Sequence, residues 1–372
     1  MNLLQAFRSL GRIPRNERGS ALIMVAVALA AILAIAAISI DAAVMVTTRT
    51  QLQNAADAAA LAGASAMIDT PGDQTEATNR AVNFAALNTA QRTGARSAVV
   101  ITPADVTFPQ SDVIRVTTHR TQSTGDALSV FFRKVVDPAS NNQADVTAVA
   151  AAQAYDVCGS RCLKPWGIPD RWQDDNANNQ VDAGELYDPE ITGYQAPADI
   201  GLSVTLKVGN PQQTMTPGTF YPVNYPPLNQ SQSPLTGANY YRQWIADCSP
   251  YLVGIGDQLQ VEPGNMVGPT RQGMDELIAL DPSATWDSTT NTVINSAYGK
   301  SPRIALVPLF DPTLAPNSGR NYVTVTQVGA FFIEQTGPGG EVTGRFLDYT
   351  APGVPCGTGL GSGLVKGLSL VE

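Results

Sequence analysis

The hydrophobic pattern of the chain changes character as it proceeds. From Ala21 to Ile38 eighteen consecutive residues are apolar. With Ser20, Ser39 and Ile40 the run reaches about 21 residues, or about 31 Å as helix, which matches the hydrocarbon core of a bilayer. Beyond it the helical signal continues. From Asp41 to Met67 there is no proline, only Gly63 interrupts, and Leu52, Ala55, Ala56, Ala59, Ala62, Gly63 and Ala66 recur at spacings of three and four. The pattern predicts one helix of nearly 50 residues, about 70 Å long. Ala55, Ala59 and Gly63 sit four apart and form a small-residue face that lets another backbone approach closely. That neighbour is either the protein's own domain or another helix.

After Met67 the period shortens. Pro71-Gly72-Asp73 predicts a turn, and Ala77, Ala81, Val82, Ala85 and Ala86 mark one face of a second helix over residues 75–89. Valine- and threonine-rich runs at 98–102, 113–118, 130–136 and 146–154 then read as strands. A helix lying on a small antiparallel sheet is the arrangement these elements suffice to build. At Tyr155 alanine thins out, proline and glycine rise, and a mainly β region with long loops follows. Its strands are expected at 201–208, 257–261, 303–310, 322–334 and 341–347, with one short helix near Met274–Leu280 that Thr270 is placed to cap. The fold class expected is α+β. It comprises a cytoplasmic amino end (1–19), a transmembrane helix (20–40), a pilin-like helix-on-sheet domain (41–155) and a mainly β, loop-rich domain (156–372).

Charge sets the orientation. Arg8, Arg12, Arg15 and Arg18 precede the span against one acid, Glu17, so the positive-inside bias keeps the amino end in the cytoplasm and the bulk of the chain outside. A cleaved signal peptide is the rival reading, since Ala34-Ile35-Ala36 offers small residues. The apolar run is longer than a signal h-region and no turn-former breaks it, so a retained anchor is expected. The net charge of −9 opposes a phosphate backbone, which argues against nucleic acid as a partner. A lone histidine, His119, excludes a multi-His metal centre, and the sequence places no acid or nucleophile beside it.

All four cysteines, Cys158, Cys162, Cys248 and Cys356, follow the span. An even set outside a reducing cytosol reads as two disulfides with three possible pairings, of which Cys158–Cys162 with Cys248–Cys356 is favoured. Zinc would need paired C-x-x-C spacing that the third and fourth cysteines lack.

One stretch carries site chemistry. Set against the twelve-residue calcium loop, Asp174 takes position 1, Asn176 position 3, Asn178 position 5, Gln180 position 7 through its carbonyl, Asp182 position 9 and Glu185 position 12. Calcium wants six to eight oxygens, and this spacing wraps alternate residues round one point. Asn179 replaces the usual glycine, and asparagine is the residue that next best tolerates the left-handed conformation. Pro169 and Pro189 exclude the paired helices of an opening switch, so a structural Ca²⁺ clip is expected. Pro263 to Thr270 precedes a helix but lacks the lysine of a phosphate loop. Trp166, Trp172, Tyr221, Tyr225, Tyr240, Tyr241 and Trp244 are expected as core and loop anchors, with a binding surface as the alternative.

The string Glu17-Arg18-Gly19-Ser20, the apolar run, Ile40-Asp41 and the stretch Arg49 to Ala64 (RTQLQNAADAAALAGA) resembles the amino-terminal segment of TadG-like proteins of the tight-adherence (Flp) pilus systems. The resemblance covers roughly residues 15–67. It implies a single-pass protein of the bacterial inner membrane, with its bulk periplasmic or extracytoplasmic. The partners it implies are the membrane and, through the N-terminal helix, other pilus-assembly proteins. The fifth residue after Gly19 is Met24 and not the glutamate of processed pilins, which argues against prepilin cleavage. No Asp-x-Ser-x-Ser metal-adhesion motif of the kind many TadG proteins carry is present. The function expected is a non-enzymatic structural or assembly component of a Tad/Flp-type pilus apparatus, with no small-molecule substrate. The alternatives are a calcium-stiffened adhesive or binding module at the cell surface and, less in keeping with the residues, a metal-dependent hydrolase.

Overall fold

The computed structural model describes residues 17–92, 95–136, 139–178, 180–210, 220–314, 321–357 and 360–371. The apolar run and the alanine-rich segment form one uninterrupted helix, α1 (Glu17–Asp69), of 53 residues, about 80 Å long. With no proline inside it, nothing breaks the i→i−4 ladder. Gly72, at φ +84°, makes the turn that follows. The Asp73 carboxylate then accepts the free backbone N–H groups of Thr75 and Glu76, at 3.0 Å each, to start α2 (Gln74–Ala86).

The chain divides into two compact units, one of Met1–Ala60, Thr78–Thr107 and Arg115–Ala150, the other of Leu61–Ala77, Phe108–Ile114 and Ala151–Glu372. A short antiparallel pair in the first unit, β1 (Thr89–Gln91) and β2 (Arg96–Ala98), precedes β3 (Val106–Gln110) and β4 (Val113–Arg120), of which Phe108–Gln110 and Val113–Ile114 belong to the second unit. After β5 (Leu128–Ser129) comes a single helical turn, α3 (Arg133–Val136). The pair β5 with β6 (Gln143–Ala144) leads into the long strand β7 (Val146–Ser160). β4 lies between β3 and β7. Tyr155 falls within β7, in the part that belongs to the second unit.

Helix-on-sheet packing in the first unit is fixed by polar bonds as well as by alanine. The buried Thr118 hydroxyl on β4 donates to the Leu52 carbonyl at 2.9 Å, Gln53 Nε2 donates to the Val149 carbonyl on β7 at 3.0 Å, and the Gln91 N–H donates to Gln51 Oε1 at 2.7 Å. Leu52, Ala55, Ala56, Ala59 and Ala60 are fully buried. Of the two neighbours the sequence allows for the small-residue face, the protein's own body is the one found. The expected strand over 130–136 is corrected to β5 followed by a turn and α3, because the Asp41 carboxylate takes the backbone N–H groups of Phe131 and Phe132 out of any ladder.

The second unit is built on a seven-stranded sheet. Its strands are β8 (Ile168–Pro169), β9 (Ser203–Lys207), β10 (Val223–Asn224), β11 (Gln258–Val261), β12 (Ile304–Phe310), β13 (Tyr322–Thr336) and β14 (Val342–Phe346). The order is β10-β11-β13-β12-β8, with β14 also on β13 and β9 on β14. β13 is fifteen residues long and pairs antiparallel with β11, β12 and β14 in turn, which makes it the centre of the sheet. Phe331, Phe332 and Phe346 are buried there, and Tyr194 stacks on Phe346 at 5.3 Å. A helix the sequence reading passed over, α4 (Ala238–Ala246), buries Tyr241, Trp244 and Ile245 beside α5 (Val267–Leu280). α5 starts seven residues earlier than the apolar pattern suggests. Thr270 is therefore inside its first turn, donating to the Met266 carbonyl at 2.7 Å, and does not cap it.

Two further strands, β15 (Val354–Pro355) and β16 (Val365–Val371), pair antiparallel with β7. This pairing decides the disulfides, which are Cys158–Cys356 and Cys162–Cys248, correcting the favoured pairing. β7 runs extended through Ser160, which holds Cys158 away from Cys162. β15 lays Val354 and Pro355 opposite Gly159 and Val157 and so delivers Cys356 to Cys158, with Cα atoms 4.7 Å apart. The Cys162 N–H donates to the Ser249 carbonyl, which places Cys248 alongside.

Ala59→Leu tests the packing of α1. Inserting a larger side chain at a fully buried site should cost about 1–3 kcal/mol. The measurement is the midpoint of chemical denaturation, and an unchanged midpoint would show that this face is open.

Candidate functional site

Three features could carry function: the apolar half of α1, the Asp174–Glu185 loop with its support, and the His119 environment. On α1 the change is abrupt. Leu22, Ile23, Met24, Val25, Val27, Leu29, Ile32, Leu33 and Ile35 are all more than half exposed, whereas nearly every position from Leu52 to Met67 is buried or half-buried. Each large apolar side chain left in water forgoes about 1.5–3 kcal/mol of burial. A row of nine is a surface that needs another apolar medium, and its length and composition suit a membrane span. Arg8, Arg12 and Arg15, which set the expected orientation, lie outside the described residues.

The calcium-like loop leaves β8 and returns to a non-helical segment, with no helix on either side. Its side chains turn inward. Asp174 Oδ1 and Asn176 Oδ1 accept the Asn178 N–H at 3.2 and 2.9 Å, and Asn178 Oδ1 accepts the Gln180 N–H at 2.7 Å. Glu185 closes the loop. Its Oε1 accepts the Asp175 N–H at 3.2 Å, and its Oε2 accepts the Asp182 N–H at 3.0 Å and Trp172 Nε1–H at 3.2 Å. The Asn176 and Asn178 carboxamides both donate to Asp182 Oδ2, at 2.8 and 2.7 Å. Asp175, by contrast, points away and accepts from Gln173 Nε2. Five of the six expected positions, Asp174, Asn176, Asn178, Asp182 and Glu185, are thus joined in one hydrogen-bonded ring. Gln180 takes part through its backbone N–H, and Asn179 lies outside the described residues. Among the described residues no three His, Cys, Asp or Glu side chains are gathered as a metal cluster. A cation here would draw on carboxamide and backbone oxygens as well as carboxylates, as calcium does.

The stem of the loop rests on Asp170, a residue the sequence reading did not single out. Its carboxylate is fully buried. Oδ1 accepts the Arg171 and Tyr194 N–H groups at 2.7 and 3.0 Å, and Oδ2 accepts the Tyr187 hydroxyl at 3.0 Å. Tyr187 lies just after the loop and Arg171 just before it, so one carboxylate ties both ends together. Burial pushes the Asp170 carboxyl up to about 6, outweighing the donated bonds that favour its ionised form. Nearby, Ile168, Asp170, Trp172, Asp174, Tyr194 and Tyr221 line part of a cavity of about 660 Å³.

The aromatic residues belong mainly to the core. Trp166, Tyr225 and Tyr241 are fully buried, Trp244 is 3% exposed, and Trp166 Nε1–H donates to the Tyr241 hydroxyl at 2.9 Å. His119 has an acid beside it that the sequence alone does not place: Nε2 stands 3.2 Å from Asp105 Oδ1. The Thr102 hydroxyl donates to the same carboxylate and not to the imidazole, so the group is centred on the acid and has the form of a structural clasp. Burial raises the Asp105 carboxyl, but the Thr102 bonds and the His119 charge together bring it below the ordinary value.

Residues 19–66 match the family described as putative Flp pilus-assembly TadE/G-like. The matched segment lies wholly within α1. No curated protein and no solved structure matches the chain.

The buried Asp170 gives a pH dependence with a defined sign. Its folded-state value of about 6 exceeds the ordinary 3.8, so between those values the folded chain holds a proton that the unfolded chain has lost. Stability through this group should fall as pH rises from about 4 to about 6 and then level off. Relative to Asp170→Asn, the wild type should lose about 1–3 kcal/mol between pH 4.5 and 6.5, read from denaturant unfolding at the two pH values.

Proposed function

We propose that the protein is a single-pass, membrane-anchored structural or assembly component of a Tad/Flp-type pilus apparatus, with its bulk outside the cytoplasm of a bacterial cell. The observation that carries this reading is the coincidence of the matched segment with one helix that has two kinds of surface. Residues 19–66 include both the exposed apolar half and the buried alanine half of α1. Such a helix needs lipid at one end and its own folded body at the other. The disulfides Cys158–Cys356 and Cys162–Cys248 favour an oxidising compartment, and the arginines before the span favour an amino end in the cytoplasm. The inner membrane is the site that fits both. Because the Ala55–Ala59 face is covered by the protein's own strands, pilus partners would engage other surfaces, such as the exposed apolar half of α1.

Within this role the Asp174–Glu185 loop serves as a structural calcium clip. The ring of Asp174, Asn176, Asn178, Asp182 and Glu185 supports the assignment, with Gln180 supplying its carbonyl. The bound ion would offset the mutual repulsion of Asp174, Asp182 and Glu185. Trp166, Tyr225, Tyr241 and Trp244 are buried and cannot serve the adhesive-module alternative, which would have to use exposed rings such as Tyr240, Tyr298 and Tyr322.

An alkaline phosphatase reporter fused after Tyr155 should be active, and a clean deletion should lower surface fibres and adherence. An inactive reporter beside an active cytoplasmic one would overturn the topology, and normal piliation without a redundant copy would overturn the role.

For the clip, calcium titrated at millimolar concentrations into the full chain in detergent should raise its melting temperature. Asp174→Ala and Glu185→Ala should each abolish most of that rise, and Asp175→Ala should keep it. A melting temperature indifferent to calcium would remove the site.

A further inference from the structure

Where α1 leaves its apolar run, a loop of the first unit is fastened to it. Asp41 Oδ1 accepts the Phe131 N–H and Oδ2 accepts the Phe132 N–H, each at 2.8 Å, and the Asp41 side chain is almost wholly covered. Asp41 is three residues past Ile38, the last of the unbroken apolar run. At 1.5 Å per residue the attached loop therefore stands about 4–5 Å from the end of that run. Cover reaches further back: Ala37, inside the run, is 7% exposed, while Ile35 and Ile38 beside it are 66% and 49% exposed. The unit thus overlaps the last turn of the predicted span on one face and leaves the other faces bare.

The loop is amphipathic in the sense a bilayer boundary reads. Phe131 is 60% exposed although its backbone is fixed by Asp41. Arg133 and Lys134 follow it and are exposed. Arg133 Nη1 donates to the Gln143 carbonyl at 2.7 Å, which orients the guanidinium. A groove of about 360 Å³ runs between loop and helix, lined by Ile38, Ala42, Met45, Val130 and Phe132 with Arg133. It continues the exposed apolar surface of the span. Among the described residues that line the groove the acid is Asp41, which already accepts two N–H donors.

We propose that Phe131–Lys134 is a second membrane contact, in which Phe131 enters the interfacial layer of the bilayer that α1 crosses and Arg133 and Lys134 pair with the phosphates of anionic phospholipids. The inference rests on the reading of α1 as a membrane span. An isolated span is free to rotate about its axis and to tilt, whereas a contact on one side of its exit fixes which face turns toward the membrane. An aromatic side chain beside two basic residues is suited to the headgroup level, where the ring finds apolar surface and the cations find phosphate.

The test uses the full chain in phosphatidylcholine nanodiscs with or without phosphatidylglycerol. The four native cysteines are disulfide-bonded, so a fluorophore can be placed at Phe131→Cys or, mid-span, at Leu29→Cys. In phosphatidylglycerol discs a label at 131 should be quenched at least twofold more by headgroup nitroxide lipids than by chain-end ones, and be shielded from iodide. Adding Arg133→Glu with Lys134→Glu should at least halve that quenching and leave the Leu29→Cys label unchanged. Hydrogen exchange over residues 130–134 of the unlabelled chain should slow at least twofold when phosphatidylglycerol is included.

A label at 131 open to iodide and indifferent to lipid nitroxide, with Leu29→Cys still quenched, overturns the second contact and leaves the span intact. Shielding from both quenchers overturns it in favour of a neighbouring protein. Quenching and exchange that ignore lipid charge and the charge reversal overturn the phosphate contact. Failure of quenching at Leu29→Cys overturns the span itself.

Discussion

A single hydrogen-bonded helix that changes its surroundings midway is the constraint on which the rest of the first unit depends. Backbone bonds within α1 are satisfied in either medium, so the helix can pass from hydrocarbon to protein without a break. What changes is the side chain required. In lipid the run from Ala21 to Ile38 can be bulky and exposed; against a sheet, Ala55, Ala56, Ala59 and Ala60 let the strands close in until Thr118 and Gln53 reach across. A leucine-rich second half would hold the sheet farther off, and those bonds would lengthen beyond use.

Much of this was legible in the sequence because it rests on local periodicity. The extent of α1, the turn at Gly72 and the strands β9, β11, β12, β13 and β14 all follow from spacing and residue type. What was not legible depends on partners far away in the chain. Phe131 and Phe132 have strand-like neighbours, and only a carboxylate ninety residues earlier explains why they do not form one. The disulfides are another case: Cys158 and Cys162 are close in sequence, yet an extended β7 separates them and brings Cys356 alongside instead. α4 was hidden because Tyr241, Trp244 and Ile245, although spaced for a helix, lie in a proline-rich stretch that reads as loop.

The candidate calcium loop shows the same division. Its ring follows the alternation of residues 174 to 182, which spacing alone reveals. Its support does not. Asp170 stands in sequence between Pro169 and Arg171 with nothing to mark it as buried. It joins the two stems only because Tyr187 and Tyr194 fold back on it. Residue types that could bind an ion are visible in a sequence, whereas the groups that keep them in place become visible only with the fold.

The pairing of β16 with β7 has a mechanical consequence. It pairs antiparallel with β7 from Val371 opposite Ala151 to Lys366 opposite Asp156. Tension applied between the C-terminal end of β16 and the N-terminal end of β7 would load these pairs one after another, like a zipper, which is the weak direction for a sheet. The opening would then run toward Cys158, where the bond to Cys356 forms a covalent stop. The 198 positions separating these two cysteines are bypassed by that link. The central sheet on β13 therefore lies outside the path of the load, and an external pull can strip β16 without unravelling the domain behind it.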